Sequence, residues 1–328
     1  MSHANIAIFV PHLGCPHQCT FCNQKHITGC VEQPTPQSVY DAVNASLQCG
    51  QSPEACEIAF FGGSFTAIDR EYMLKLLSAA SDCVTRYGFI GIRISTRPDC
   101  INEEILKLLK EHHVTSIELG AQSMDDDVLR FNERGHNSDD VRNASILIKY
   151  FGFELGLQMM TGLYKSTYEK DRYTAKELIK LSPKSIRIYP TITLKNTALE
   201  ALFKNGDYIP DDVENAAKLC SELTELFENA DIKVIRIGLH SIDGDSYVAG
   251  PWHPAFGELC DSHRFRNTIE RNIKPDGIYK LTVNPSDVSK VIGQKRANIL
   301  YFENQHVTFN IIQDKTVAKG TVLIEEVK

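Results

Sequence analysis

Residues 6–22 read IAIFVPHLGCPHQCTFC, and no other stretch of the chain says more about its fold. The first five residues, Ile6 to Val10, are apolar and predict a buried β-strand. Three cysteines follow the strand within eight residues, Cys15, Cys19 and Cys22, with the spacing Cys-x3-Cys-x2-Cys. Thiolates crowded into one loop are typical of a zinc or an iron–sulfur site.

Zinc and iron–sulfur clusters make different demands on such a triplet. A structural zinc site uses four protein ligands. Here the fourth ligand is limited to Cys30, His17 or His26, none at a standard finger spacing. A [4Fe–4S] cluster on three cysteines leaves one iron open for a substrate or cofactor. Structural cysteines without a metal are the third alternative, and this is our interpretation of most of the other seven cysteines.

Short apolar strands alternate with amphipathic helices beyond this stretch. This order predicts βαβ units and a parallel sheet. Six or seven units favour an α/β fold with a partial (β/α)6-type barrel, whose active site would lie at the carboxyl ends of the strands. The predicted strands are residues 6–10, 58–61, 92–94, 114–119, 153–159, 186–189 and 234–239.

Composition excludes several classes of protein. Hydrophobic residues make up 42% and charged residues 23% of the 328 residues, which excludes a disordered or fibrous chain. No apolar run approaches the roughly 20 residues that span a bilayer. The first residues lack the charged and apolar regions of a signal peptide. We therefore expect a cytoplasmic protein that does not contact a membrane.

Charge divides the chain near residue 263. The whole chain has a net charge of −7, but residues 264–296 carry eight Lys or Arg against three acids. We predict a barrel over residues 1–263 and a small, basic, β-rich α+β module over residues 264–328. A basic segment on an acidic protein is an expected footprint for phosphates. RNA is therefore an expected partner of residues 264–296, unless this segment packs against the acidic remainder of the chain.

The cysteine spacing, with the aromatic Phe21 before the last cysteine, resembles the radical S-adenosylmethionine (SAM) superfamily. The segment 60–65, FFGGSF, is similar to the glycine motif at which members bind the SAM amino group. This resemblance implies a partial barrel with a [4Fe–4S] cluster whose open iron is chelated by SAM. It also implies an electron donor such as flavodoxin or ferredoxin, and cleavage of SAM to a 5′-deoxyadenosyl radical that abstracts hydrogen from a substrate.

A closer resemblance is to the radical-SAM domain of the elongator catalytic subunit and its shorter bacterial relatives. It covers roughly residues 6–260. Two departures are the compact cysteine spacing and the roughly 65 residues after position 264, too few for the acetyltransferase domain of the elongator subunit. We expect no acetyl-transfer chemistry. The similar segments are STRPD at 95–99, ELGAQS at 118–123, RGH at 134–136, MMTGL at 159–163 and RIYPT at 187–191.

Barrel position and resemblance together assign the cofactor contacts. Arg134 is expected at the SAM carboxylate, Gln122 and Ser95 at the ribose or methionine moiety, and Tyr189 near the adenosine. Glu118 is expected either to contact the ligand or to pair with Arg97. No catalytic side chain is assigned. The complete predicted set is Cys15, Cys19 and Cys22 for the metal, and Phe21, Gly62, Gly63, Ser64, Ser95, Gln122, Arg134 and Tyr189 for the cofactor.

The functional hypothesis is a radical SAM enzyme that modifies RNA, most simply tRNA. One alternative is a radical SAM enzyme that acts on a small molecule or a tetrapyrrole. The other is a zinc-stabilised RNA-binding module, which would be colourless and contain zinc rather than iron and sulfide.

Changing any one of Cys15, Cys19 and Cys22 to Ala should remove most of the iron and all SAM cleavage. The two remaining thiolates cannot complete a three-cysteine site. Iron and sulfide analysis of the reconstituted proteins checks this. Cys83→Ala and Cys220→Ala are controls that should keep their iron, and normal iron in all three single variants would exclude the assignment.

Overall fold

The computed structural model describes residues 4–11, 18–22, 33–239 and 244–327. Seven parallel strands form one curled sheet, in which each strand pairs with the next large strand along the chain. The predicted partial barrel is therefore confirmed. Its strands are β1 (Ala4–Val10), β2 (Cys56–Gly62), β3 (Gly91–Thr96), β4 (Val114–Gln122), β5 (Glu154–Thr161), β6 (Ser185–Pro190) and β8 (Lys233–Ile237).

Helices follow the strands, and side-chain caps fix where several of them begin. Asn102 accepts a hydrogen bond from the Ile105 backbone, as the sequence predicts for the cap of its helix. No helix in the described ranges combines the length and hydropathy that crossing a bilayer requires. The helices are α1 (Pro36–Gln48), α2 (Arg70–Tyr87), α3 (Glu103–Glu111), α4 (Asp126–Phe131), α5 (Ser138–Tyr150), α6 (Tyr168–Lys180), α7 (Ala198–Lys204), α8 (Val213–Asn229), α9 (Phe256–Glu270), α10 (Val288–Ile292) and α11 (Ala297–Glu303).

The two faces of the sheet differ in chemistry. Side chains alternate along a strand, so Ile117 and Leu119 of β4 enter the main apolar core with the helices. Glu118, between them, points to the opposite, concave face and is 1% exposed. In β6, Ile186 and Ile188 likewise enter the core. On β4 and β6 the concave face therefore presents polar residues, and from this face strand side chains can reach a ligand inside the barrel.

Strands β1 and β2 approach each other closely at Gly62. This residue has φ +118°, and a Cβ atom there would lie 2.5 Å from the Val10 carbonyl oxygen. The next amide, that of Gly63, donates to the same oxygen at 3.0 Å. Glycine is thus required at position 62 by the neighbouring strand itself, independently of any ligand.

The C-terminal residues form a small module with its own core. Strand β10 (Ile278–Val283) is central, parallel to β11 (Thr308–Gln313) and antiparallel to β12 (Val322–Glu326). Residues 298–301, an apolar segment for which the sequence predicts a place in the β-rich part of the module, lie instead in helix α11. A two-stranded antiparallel pair, β7 (Thr193–Leu194) and β9 (Tyr247–Ala249), was not predicted.

Helix α9 joins the barrel to this module. Phe256 and Cys260 at its start pack in the barrel core, whereas Phe265 and Ile269 pack in the core of the module. The predicted boundary between residues 263 and 264 therefore falls inside a helix that contributes to both cores, and the division into two domains stays a prediction.

Gly62→Ala should lower the free energy of unfolding by more than the roughly 1–2 kcal/mol that a left-handed backbone costs, because the new methyl group meets a backbone oxygen. Gly50→Ala is the matched control. Gly50 also has positive φ, +78°, but nothing lies within 4 Å of its Cβ position. Chemical denaturation of both variants checks this, and equal losses would show that the contact with Val10 does not matter.

Candidate functional site

Arg134 and Cys19 meet at the carboxyl edge of the sheet. The Arg134 Nη1 atom donates to the Cys19 Sγ atom at 3.2 Å, and the two residues are only 7% and 8% exposed. Two predicted site residues that are 115 positions apart in sequence are therefore in direct contact.

Backbone contacts hold Arg134 in place. Its Nη2 atom donates to the Gly120 carbonyl oxygen of β4 at 2.7 Å, and its own carbonyl oxygen accepts from Arg97 Nη2. Arg97 is fixed in turn by Asp99, which accepts from its Nε at 2.9 Å and from its Nη2 at 2.8 Å. Such a bidentate pair restricts a guanidinium to one plane. The ends of β3 and β4 thus jointly position the cation beside Cys19.

Besides the Nδ1 atom of His136, three buried polar atoms at this edge have no hydrogen-bond partner among the described residues: Arg134 Nε, Arg97 Nη1 and Gln122 Oε1. Gln122 has φ +64° and lies at an irregularity in the pairing of β4 with β5. Buried polar groups without partners are costly and rare, so each needs an explanation. Two donors and one acceptor beside a cysteine fit a ligand with both a carboxylate and donor groups, as SAM has.

His136 lies beside the same arginine as a neutral ring. Burial, together with the nearby charge of Arg134, lowers the pKa of His136 to about 3. Its Nε2 atom lies 3.2 Å from the Ala121 carbonyl oxygen. Arg134, and not His136, is therefore the cation beside Cys19.

The described part of the cysteine loop is anchored by Thr20. Its amide donates to the Asn132 carbonyl oxygen at 3.3 Å and its carbonyl oxygen accepts from Leu199 at 2.8 Å. Its hydroxyl donates to Asn132 Oδ1 at 3.0 Å. Asn132 also donates to the Tyr164 carbonyl oxygen at 2.9 Å. Asn132, which is fully buried, was not predicted as a site residue. Its one sequence signal is that it lies two positions before the RGH segment.

Glu118 pairs with Arg187, not with Arg97. Its Oε2 atom accepts from Arg187 Nε at 2.8 Å, and its Oε1 atom accepts from Gln158. Ser95 Oγ lies 3.5 Å from the same Oε1. Arg97 is occupied by Asp99, two positions away, which the spacing Arg-Pro-Asp would have indicated. Ser95 thus lies deeper in the barrel than Gln122 and Arg134, in a buried polar layer of the concave wall.

Tyr189 lies above this layer, on β6. Arg187 Nη1 donates to its hydroxyl oxygen at 3.4 Å, and burial raises the pKa of Tyr189, so the phenol is neutral. Tyr189 lies two residues closer than Arg187 to the carboxyl end of β6.

The remaining predicted residues fall at the same edge or outside the described ranges. Cys15 lies outside them, as do Cys30, His17 and His26. Phe21 and Cys22 are partly exposed, and the Cys22 amide donates to the Cys19 carbonyl oxygen at 3.1 Å. Gly62 ends β2, and Gly63 and Ser64 follow it directly, with Ser64 2% exposed.

Many of the cations in residues 264–296 already have acidic partners. Six of the eight are within 4.0 Å of a carboxylate, among them Arg271 with Glu225 of α8 at 2.9 Å and Lys290 with Asp261 at 2.8 Å. Lys274 and Lys295 have no ion pair among the described residues. The other paired cations are Arg264, Arg266, Lys280 and Arg296.

Comparison with known families agrees with this geometry. The model of the radical SAM superfamily matches residues 9–178, and that of a radical SAM C-terminal domain matches residues 183–265. The first match spans more than half of the chain and includes the cysteine triplet, the glycine pair and Arg134. The chain belongs to the radical SAM superfamily of enzymes, as its cysteine spacing predicted.

Its relatives include proteins named for tRNA chemistry. The chain is 25% identical over 239 residues to the tRNA uridine(34) acetyltransferase of Dehalococcoides mccartyi, covering 62% of this chain and 52% of that one. It is 29% identical over 196 residues to human Elongator complex protein 3, covering 52% and 36%. The chain therefore spans about half or less of these relatives. The elongator-like resemblance is confirmed.

A solved structure supports the fold. The Elp3 protein of Methanocaldococcus infernus, with its N-terminus deleted, superposes with a TM-score of 0.67. The sequences are 21% identical, and the match covers 84% of this chain and 64% of that one. At this identity the likeness concerns the fold alone.

Arg134→Gln should weaken SAM binding at least about tenfold, because a charge-assisted contact to a carboxylate is lost. Equilibrium dialysis of SAM with the reconstituted protein measures it. Arg130→Gln is the control: Arg130 lies four residues earlier and is 66% exposed in a pair with Asp127.

Circular dichroism should show that both variants fold. If the folded Arg134→Gln variant binds SAM as tightly as the wild type, Arg134 does not contact the SAM carboxylate and binds only Cys19 and the backbone.

Proposed function

We propose that this protein is a radical SAM enzyme that modifies RNA, with tRNA as the favoured substrate. The observation that carries the proposal is the buried Arg134 on Cys19, beside unpartnered donors and an acceptor, in a chain of this superfamily. The same membership is our reason for setting the zinc-stabilised module aside.

The residues at the carboxyl edge fit the cofactors of the superfamily, a [4Fe–4S] cluster and SAM. Cys15, Cys19 and Cys22 would hold the cluster. When bound, this pair of cofactors supplies a 5′-deoxyadenosyl radical that abstracts hydrogen. Arg134 donates a hydrogen bond to Cys19 Sγ at 3.2 Å, and its unpartnered Nε atom supports a role at the SAM carboxylate.

The other side chains bind and orient. Gln122 offers an unpartnered acceptor and Arg97 an unpartnered donor, and Arg97 is held by Asp99 and by the Arg134 carbonyl oxygen. Gly63 and Ser64 would bind the amino end of SAM, with Phe21 next to the cluster. Ser95 and Tyr189 would line the path from SAM to the substrate. A dry, preorganised wall of this kind also keeps water away from a reactive intermediate.

A reductant such as flavodoxin or ferredoxin completes the proposal. The partial exposure of Phe21 and Cys22 offers an approach to the cluster loop from outside. A cytoplasmic location is part of the same proposal, because both tRNA and these electron donors are found there.

Two observations bear on the substrate in opposite directions. The names of the relatives favour tRNA. The ion pairs of residues 264–296 favour the alternative of a small molecule or a tetrapyrrole, because a cation that already holds a carboxylate has less to offer a phosphate. Within that segment, Lys274 and Lys295 are therefore the residues that we assign to RNA.

Anaerobic incubation of the reconstituted protein with SAM, dithionite and bulk tRNA tests the proposal. Nucleoside mass spectrometry should reveal a new modified nucleoside, and 5′-deoxyadenosine should form faster with tRNA than without. Lys274→Ala/Lys295→Ala should weaken tRNA binding and flatten its salt dependence by about 0.9 log units per log salt for each lost duplex contact.

Arg271→Ala/Lys280→Ala is the matched control, since it removes two cations that already have acidic partners. It should change thermal stability more than tRNA binding. Unmodified tRNA together with an unchanged salt slope in the lysine variant would favour the small-molecule alternative.

A further inference from the structure

Two arginines lie side by side on the concave wall. Arg187 of β6 and Arg236 of β8 are direct partners in the parallel register, on strands about 4.8 Å apart. An irregularity between Ile186 and Arg187 in this pairing skips Ile235 and brings Arg236 opposite Arg187. Ile237 enters the apolar core, so Arg236 faces the concave side.

Only one of the two arginines is neutralised. Arg187 is 12% exposed and holds Glu118, which is 1% exposed. Arg236 is half-buried, donates to the Gly238 carbonyl oxygen at 3.1 Å, and has no acidic partner within 4.0 Å among the described residues. Burial lowers the pKa of Arg236; of its neighbours, Tyr189 raises this pKa and Arg187 lowers it. Like charges directly opposite each other are unfavourable.

A bound anion would remove this imbalance. A carboxylate offers two coplanar oxygens, which one guanidinium satisfies. A phosphate group offers oxygens in three directions and can bridge two adjacent guanidinium groups and a phenol. The Tyr189 hydroxyl is within reach of Arg187 and supplies that third contact. The chemistry of the wall therefore favours a phosphate over a carboxylate.

Aromatic rings on the same wall favour a nucleotide over free phosphate. The Phe61 ring centroid lies 5.1 Å from Arg187 Cζ. Phe9, its register partner on β1, lies 6.3 Å from it, centroid to centroid. Phe9 is 38% exposed, unusual for a ring inside a barrel. Unstacked nucleobases bind to such faces.

We propose that Arg187, Arg236 and Tyr189 form a phosphate subsite that seats the nucleotide of the substrate inside the barrel, next to Phe9 and Phe61. The inference rests on the proposed function, because it assumes that the bound phosphate belongs to a nucleic-acid substrate. It goes beyond that function by predicting that single nucleotides bind at this site without SAM and without contacts to the C-terminal module.

Calorimetric titration of the full chain tests the subsite with three probes: a nucleoside 5′-monophosphate, the matching nucleoside, and inorganic phosphate. The monophosphate should bind at least about tenfold more tightly than the nucleoside, as expected for a hydrogen-bonded charge pair. Arg236→Gln should abolish this preference, and Arg236→Lys should keep part of it. Lys176→Gln, which removes an exposed cation on helix α6, should leave it unchanged.

Two further measurements separate the alternatives. Arg236→Gln should retain or exceed the wild-type melting temperature, because it removes a charge without a partner. A lower melting temperature with an unchanged preference would make Arg236 a structural residue and overturn the subsite. Equal binding of nucleoside and monophosphate to the wild type would overturn it too, and inorganic phosphate binding as tightly as the monophosphate would exclude a nucleotide.

SAM binding and iron content are measured on the same samples. SAM affinity that falls in Arg236→Gln as much as the monophosphate affinity would assign the arginine to the SAM carboxylate and overturn the inference. Absence of iron and of SAM cleavage in the wild type, with the phosphate preference intact, would defeat the proposed function and leave the subsite standing.

Discussion

The contact between Arg134 and Cys19 is the constraint on which the carboxyl edge of this barrel depends. It links the cysteine loop after β1 to the end of β4, because the same guanidinium also holds the Gly120 carbonyl oxygen. Arg97 and Asp99 extend the chain of contacts to β3. A cation buried in this way is stable only when its neighbours are fixed, so three strand ends are positioned together by one side chain.

On the concave wall, a buried carboxylate also joins several strands. Glu118 accepts hydrogen bonds from Arg187 and Gln158 and so links β4, β5 and β6 in one polar layer. In this layer Arg187 is paired with Glu118, whereas Arg236, its register partner on β8, has no acidic partner among the described residues. Closer to the carboxyl edge, Arg134 keeps an unpartnered Nε atom. In our proposals the Arg134 end, near β4, belongs to the cofactor and the Arg236 end, near β8, belongs to the substrate.

The C-terminal module raises a different electrostatic question. Its basic character is visible in the sequence, but glutamates of α8 pair with Arg264 of α9 and with Arg271 just after it: Glu228 and Glu225, respectively. Much of the positive charge thus stabilises the junction between module and barrel. Helix α9 makes that junction rigid, because Cys260 and Phe265, little more than one turn apart, belong to different cores. The net charge of the segment therefore overstates the positive charge that is available to bind a partner.

Local patterns were enough to predict the alternating strands and helices, the partial barrel, the Asn102 cap and the superfamily, because strand periodicity, capping and the spacing of three cysteines involve residues close in sequence. They also selected Arg134, although the Cys19 contact could not be foreseen. Pairings between distant positions were beyond reach. Glu118 was expected to contact the ligand or to pair with Arg97, but in the packed sheet it pairs with Arg187. The likewise distant partnership of Arg187 and Arg236 depends on a register irregularity that no local pattern encodes. Long-range register is a property of the packed sheet, and it decides which charges inside the barrel remain for a ligand.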